Sequence, residues 1–507
     1  MRVKKTLFNS IYAICSYAFI GILGLILRKF FLVYLPTDFL GYEGLFYDLF
    51  AIMSIADLGV AGIIQYRLYE AIAKDDKSNV SRIMAVYKVL YRIIGFGILC
   101  IGLLLIPFLK IIIKNNSLQW SFVYLIYLMQ LASTLCNYFL AYKRIMIVAN
   151  LQEATITKIE TACTFSSYIV KIAVILIFKN YIMYLAISIL NNIVANAIIA
   201  HKVDRDYPYI REKIKITKKD IQELKIGADL KNNLVQKICM AIYGGTDSIL
   251  ITALIGIEQT GLMSNYSLIS GQISNVLTKL LNPFSASIAN YVHDDSHEMD
   301  DEMFHMFDRI GFFLACFIST SFMVLYNPFI ALIFGEKFVM SETFVLAFVI
   351  NQYITYNHKF LACYRGAFGR FELDKPYTAA AAGLNLVFSI ILAKPLGVAG
   401  IMLGTAIGHM GFWIGRARVV YAVYMKESVN KYVLRQLVNV ALCSAEMGFT
   451  YWICSLLPNT VGFFIVRTAA CLVIPNVINF LLFCKSQDMK LIFEYVGKVR
   501  SSLRPAK

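Results

Sequence analysis

Charged residues are scarce in this sequence, and their scarcity excludes most soluble architectures. Only 16% of the 507 residues are Asp, Glu, Lys or Arg, whereas 59% are hydrophobic. Soluble domains carry about 25% charged residues, and a soluble chain of this length would form several domains, each with its own charged surface. The mean hydropathy of +0.64 instead predicts a chain whose outer surface is covered by lipid.

The sequence patterns of metal, disulfide and nucleotide sites are also missing. The 11 cysteines form no CxxC pair and no metal-ligand spacing with histidine, so we interpret them as small buried hydrophobic residues. No GxxxxGK[ST] or HExxH segment occurs, and no GxSxG in a strand–turn–helix context. The sequence therefore predicts neither an enzyme nor an ATP-driven pump. It predicts no cofactor, and a proton or sodium gradient is the candidate energy source.

Long apolar runs are what the sequence does contain. A helix that crosses a bilayer needs about 20 predominantly apolar residues, and about fourteen runs approach or exceed that length. They predict an all-α polytopic membrane protein. The predicted spans are 8–34, 40–65, 86–110, 119–142, 159–178, 180–201, 226–255, 261–291, 308–327, 339–363, 377–394, 397–415, 433–457 and 460–484.

Lys and Arg fall almost entirely in alternate loops, which predicts the orientation of the chain. The basic N-terminus and the basic loop 203–225 would both lie in the cytoplasm, as would the C-terminus. The net charge of +16 is spread between apolar runs rather than over one basic face, which argues against a nucleic-acid partner. We therefore predict a multi-pass protein of the plasma (inner) membrane.

An even number of helices on each side of the basic loop allows a parallel repeat. The predicted domains are an N-terminal lobe of six helices, 1–202, and a C-terminal lobe of six helices, 226–425. The basic linker 203–225 joins the two lobes. Two further helices and a basic cytoplasmic tail occupy 426–507.

Charged residues inside the predicted spans are candidates for function, because each costs about 2.5–3.5 kcal/mol in lipid. Those of the first twelve helices are mainly cationic, which predicts a water-filled cavity that attracts an anion. A diphosphate is the anion that best matches fixed Arg and Lys side chains. The predicted cavity cations are Arg28, Lys171, Lys237, Lys279 and His358, and the predicted coupling or gating residues are Asp57 and Asp247.

Structural roles stay open for several charged or aromatic side chains. Arg28 could extend to the outer headgroups, while Asp57 and Asp247 could pair with neighbouring Lys or Arg and fix helix packing. Glu446 and Arg467 lie at similar depth on adjacent antiparallel helices, and we interpret them as a structural pair. Most of the 31 tyrosines fit interfacial belts, with stacking on sugar faces as the alternative.

Three blocks of sequence, in order along the chain, resemble Wzx-type polysaccharide flippases. This family belongs to the multidrug, oligosaccharidyl-lipid and polysaccharide exporter superfamily. Its pattern includes an Arg late in helix one, an LGxxGLF turn and an ADLG segment that ends helix two. The last two predicted helices match the family only in being present, because they contain none of the matching blocks. The blocks are 27–35 with 40–46, 54–60 and 68–76, then 246–251 with 255–256 and 261–266, then 369–375 with 397–405.

The resemblance implies two six-helix lobes around a central cavity with alternating access. The implied substrate is an undecaprenyl-diphosphate-linked oligosaccharide, carried from the inner to the outer leaflet for capsule, O-antigen or exopolysaccharide synthesis. Membrane lipids, a polysaccharide polymerase and glycosyltransferases are the implied partners. Only Arg28, Asp57 and Asp247 of the predicted site residues fall in the matching blocks.

Two other functions compete with this interpretation. A multidrug and toxin extrusion antiporter takes mostly cationic substrates, so its cavity should carry an excess of carboxylates, whereas Lys and Arg predominate here. A membrane polysaccharide polymerase or ligase needs a large external domain or loop, whereas the predicted external loops are short. A purely structural membrane scaffold is the third alternative.

Overall fold

The protein is all-α throughout the part of the chain that the structure describes. The computed structural model describes residues 2–54, 60–116, 118–211, 214, 216–217, 237–242, 244–292, 301–368, 371–425 and 428–503. Its main helices are α1 (Arg2–Tyr34), α2 (Asp38–Met53), α3 (Val60–Ala73), α4 (Lys77–Leu105), α5 (Trp120–Leu140), α6 (Glu153–Phe178), α7 (Tyr181–Asp206), α8 (Asp247–Leu254), α9 (Ile257–Val292), α10 (Asp301–Ile333), α11 (Glu342–Asn357), α12 (Lys359–Ala367), α13 (Lys375–Leu396), α14 (Val398–Val419), α15 (Val429–Ser455), α16 (Val461–Phe483) and α17 (Gln487–Leu503).

Local chemistry explains several of the helix boundaries. The backbone of Lys179 is left-handed (φ 49°) and ends α6, while the side chain of Asn180 accepts the Met183 amide and caps α7. Ser341 caps α11 in the same way by accepting the Phe344 amide. Gly397 adopts φ 58° between α13 and α14, a conformation that glycine tolerates best. Short polar segments therefore divide the apolar runs into antiparallel neighbours.

The helices carry the apolar surface of a membrane protein. Nine of those within the described ranges are long and apolar enough to cross a bilayer. Large aliphatic side chains point outwards, as shown by Ile177 at 71% and Leu481 at 67% exposure. Such exposure is unfavourable in water and neutral in lipid. The prediction of an all-α polytopic membrane protein is confirmed.

The fourteen predicted spans all contain helix, but some are subdivided. The predicted span 40–65 corresponds to α2 and α3, and the span 339–363 corresponds to α11 and α12, which meet at His358. The sequence did not predict the last helix, α17. Its Asp488 pairs with Arg309 of α10 at 3.3 Å, so this part of the tail packs on the protein.

Contacts group the chain into two compact units. The first unit is Leu7–Val276, and the second unit is Leu277–Lys507 together with Met1–Thr6. The boundary falls inside α9, because α8 and the beginning of α9 pack with α2. These units are defined by contacts alone and do not test a repeat of six helices, so the predicted lobes 1–202 and 226–425 stay a prediction. Most of the predicted linker lies outside the described residues.

Candidate functional site

Two of the predicted cations meet around a carboxylate inside the first unit. Arg28 lies near the end of α1, Lys171 near the end of α6 and Glu43 near the start of α2. Both cations lie within electrostatic range of the Glu43 carboxylate. We call these three residues the cationic cluster, because its two positive charges exceed its one negative charge. Glu43 compensates part of the charge that would otherwise be unfavourable among membrane helices.

Tyrosine rings surround the cationic cluster. The Lys171 ammonium lies 4.3 Å from the centre of the Tyr184 ring, and only 8% of Lys171 is exposed. The Tyr181 hydroxyl lies 3.4 Å from Glu43 Oε1 and 3.3 Å from the Phe39 carbonyl oxygen. A cation over an aromatic face gains more when it is desolvated. The start of α7 thus holds both Lys171 and Glu43 in position.

Arg28 also contacts the beginning of α9. Its Nη1 donates to Ser264 Oγ at 3.1 Å. The backbones of α2 and α9 come unusually close beside this bond. A Cβ atom on Gly41 would lie 2.2 Å from the Ile257 carbonyl oxygen, and one on Gly261 would lie 2.5 Å from the Thr37 carbonyl oxygen. Glycine is therefore required at both positions for this approach.

A second carboxylate of α2 contacts the start of α8. Asp48 Oδ2 accepts the backbone amide of Ser248 at 3.3 Å, and Asp247 lies within electrostatic range of Asp48. A carboxylate near a helix N-terminus is stabilised by the free amides and by the helix dipole. This contact joins α2 to α8. The coupling role of Asp247 stays a prediction, and Asp57 lies outside the described residues.

The other predicted cavity residues are spread over both units. Lys237 is half-buried in a short helical segment of the first unit. Lys279 lies on α9 in the second unit, and its side chain is outside the described part. His358 is buried in the second unit, where its Nδ1 contacts the Ile354 carbonyl and its ring lies 5.2 Å from that of Trp413. Their assignment to a substrate cavity stays a prediction.

The interpretation of Glu446 and Arg467 as a structural pair is wrong. Glu446 Oε2 accepts from Cys316 Sγ at 2.9 Å and from Asn479 Nδ2 at 3.0 Å. Arg467 Nη2 instead donates to the Leu457 carbonyl at 2.6 Å. Similar depth on neighbouring helices is not sufficient for pairing, because the two side chains must also point towards each other across the contact between the helices.

A polar cavity of about 950 Å³ lies next to the cationic cluster in the first unit. Glu43 lines it, together with side chains from α5 and α7 and the Arg144–Glu160 ion pair. Glu43 was not among the residues predicted from the sequence, although it stands inside the LGYEGLF segment that resembles the Wzx-type flippases. Within the described ranges, no group of three or more His, Cys, Asp or Glu side chains is arranged to hold a metal ion.

Two solved structures share the fold of this chain. No protein-family model and no curated protein matches the sequence. The structure described as "Lipid II flippase MurJ, inward closed conformation" has a TM-score of 0.63 and 12% identity, with 93% of this chain and 99% of that chain covered. The "Inward-facing conformation of a multidrug resistance MATE family transporter of the MOP superfamily" has a TM-score of 0.60 and 15% identity, with 82% and 99% covered. At such identities, these likenesses establish the fold alone.

Proposed function

We propose that this protein is a flippase that moves an undecaprenyl-diphosphate-linked oligosaccharide from the inner to the outer leaflet. The cationic cluster is the single observation that carries the proposal. Two cations held among membrane helices cost free energy unless an anion or water compensates their charge, and a diphosphate is the ligand that best compensates them. The solved lipid II flippase shows that this fold can carry out flipping.

The guanidinium of Arg28 has the chemistry for the diphosphate end of the substrate. Its planar fork can form two parallel hydrogen bonds to phosphate oxygens, which a lysine cannot do. Glu43 would act as the internal counter-ion until the substrate arrives. The diphosphate would then take over the compensation of Arg28 and Lys171. We further propose that a proton or sodium gradient drives the cycle, and that both termini face the cytoplasm.

A multidrug antiporter is the second candidate, because a multidrug transporter has the same fold. A cavity for cationic drugs should present an excess of carboxylates. The cationic cluster, with two positive charges against one negative, disfavours that assignment, although the adjoining cavity itself is lined by Glu43, Glu160 and a single arginine, Arg144. In the cell, the proposed flippase would act after the glycosyltransferases that build the lipid-linked unit and before a polysaccharide polymerase.

A leaflet-resolved transport assay tests the proposal. Labelled undecaprenyl-diphosphate-linked oligosaccharide would be followed in proteoliposomes that contain the full chain, with or without an ion gradient. Arg28→Ala should reduce flipping at least tenfold at unchanged protein yield, whereas Arg28→Lys should retain part of it. Arg205→Ala, at an exposed arginine, is the matched control and should flip normally. Normal flipping by Arg28→Ala would show that Arg28 binds headgroups rather than substrate.

A further inference from the structure

Most of the residues that line the cavity beside the cationic cluster have a hydrogen-bonding group in the side chain. Fifteen of its 24 lining residues carry a polar atom in the side chain. Sites for drug-like ligands are predominantly apolar, with only a few polar groups. A volume of about 950 Å³ is large enough for such a ligand, yet the composition suits a ligand that is itself rich in hydroxyl groups.

The polar groups of the cavity follow one face of α5. Gln130, Ser133, Thr134 and Asn137 all line the cavity, with the spacing i, i+3, i+4 and i+7 that defines a single helical stripe. Asn192 of α7 faces this stripe and donates to Ser133 Oγ at 2.9 Å. Amide and hydroxyl side chains both donate and accept hydrogen bonds, as sugar hydroxyls do. The stripe from Gln130 to Asn137 extends over roughly 10 Å of helix.

Aromatic rings supply a second kind of surface in the same cavity. Tyr87, Tyr91 and Tyr138 form a row, with ring centres 4.3 Å and 5.8 Å apart along it. Tyr47, which is 73% exposed, also lines the cavity. The C–H groups on a sugar ring face can stack on an aromatic face, while the hydroxyls at the ring edge reach polar neighbours.

The charges of the cavity indicate the orientation of its ligand. Arg144 and Glu160 pair with each other in the cavity wall, so this pair adds no net charge. Glu43 lies both in the wall of the cavity and in the cationic cluster. A ligand with an uncharged glycan and one anionic end would therefore direct the anionic end towards Arg28 and Lys171.

From these walls we infer that the cavity binds the glycan of the substrate, with the diphosphate-linked end directed past Glu43 towards Arg28 and Lys171. This inference rests on the proposed function and adds a glycan site to it. A second cavity of about 240 Å³ shares Asn137, Arg144, Glu160 and Asn192 with the first. These four residues form the partition between the two chambers. The far end of a longer glycan would meet this partition.

Binding measurements with two lipids test the glycan site. The probes are undecaprenyl diphosphate alone and the undecaprenyl-diphosphate-linked oligosaccharide extracted from a producing strain that lacks this gene. The full chain in lipid nanodiscs is titrated with each lipid. Asn192→Leu should weaken binding of the glycan-bearing lipid about fivefold, as expected for lost hydrogen bonds. It should change binding of the bare lipid less than twofold.

Two more substitutions separate binding from folding. Thr134→Val has nearly the same shape and removes a hydroxyl that bonds only to Gln130 of its own helix, so it should fold normally. It should show the same selective loss. Tyr47→Phe keeps the aromatic face and should bind better than Tyr47→Ala. Asn476→Leu, at an exposed amide on α16, is the matched control and should bind both lipids normally.

The outcomes distinguish the glycan site from the proposed function. An equal loss for both lipids in Asn192→Leu and Thr134→Val, or no loss in either variant, overturns the glycan site. The proposed function is tested by Arg28→Ala, which should weaken binding of both lipids. If the unsubstituted protein binds neither lipid, or Arg28→Ala binds both normally, the proposed function fails first.

Discussion

The two compact units differ in what their polar side chains contact. In the first unit, amides, hydroxyls and a carboxylate line a cavity next to the cationic cluster. In the second unit, several buried polar side chains bond to one another. Gln436 donates to both oxygens of Asp308 at 3.0 and 2.9 Å, and Asn357 donates to Gln436 at 2.8 Å.

This difference shows what a polar group inside a membrane helix indicates. A buried polar network whose members satisfy each other fixes the packing of helices. A polar group that faces a cavity remains available to water or to a ligand. The partner of a charged side chain, and not its depth in the membrane alone, therefore separates structural residues from candidate site residues.

The largest expected effect comes from the buried ion pair of the second unit. Arg365 Nε donates to Asp374 Oδ1 at 2.8 Å, and each side chain is 1% exposed. Asp374→Asn would remove the buried carboxylate that pairs with Arg365 and lies 3.8 Å from Arg416 Nε, at a cost of about 3–5 kcal/mol. We expect a severe loss of membrane yield and thermal stability. Glu70→Gln breaks an exposed pair with Lys74 and should lose nothing measurable. Equal stability of the two variants would contradict the structural role of the buried Arg365–Asp374 pair.

A smaller effect is expected for Glu446 and Arg467. Because each has its own partners, their losses should add. Glu446→Gln or Arg467→Gln alone should cost about 1–3 kcal/mol of stability. The double substitution should cost the sum to within about 0.5 kcal/mol, measured by thermal unfolding of all three variants. Recovery of stability in the double variant would instead indicate that Glu446 and Arg467 pair with each other.

The smallest expected effect tests the counter-ion of the first unit. Glu43→Gln removes the one negative charge of the cationic cluster and leaves Arg28 and Lys171 for an incoming anion. Undecaprenyl diphosphate should bind about tenfold more tightly, or roughly 1.4 kcal/mol. Titration in nanodiscs measures this change. Glu153→Gln, at the exposed start of α6, is the control. Unchanged affinity in Glu43→Gln would argue against Glu43 as the counter-ion.

The fold could be predicted from the sequence more completely than the site. Apolar length and basic loops report on each helix separately, so the helical spans and the membrane environment were predictable. The subdivision at His358 and the packing of α17 depend on tertiary contacts. The sequence had no pattern that could reveal them.

The site depends on which helix faces meet, and that information is spread over distant parts of the chain. Arg28 and Lys171 were both singled out, yet nothing in the sequence joins them to each other or to Glu43. Glu43 was passed over because it lies in a segment read as a turn. The polar stripe of α5 carried a detectable signal, since its residues follow the helical period.

The close approach of α2 and α9 has a mechanical consequence. At Gly41 and Gly261 the two glycines lie against backbone atoms of Ile257 and Thr37 as well as against the side chains of these residues. A close helix–helix contact of this kind is stabilised by dispersion and weak C–H···O contacts, together with the Arg28–Ser264 hydrogen bond. In the proposed flippase, this closely packed contact would be a place where α2 and α9 could part and rejoin as access to the cavity alternates.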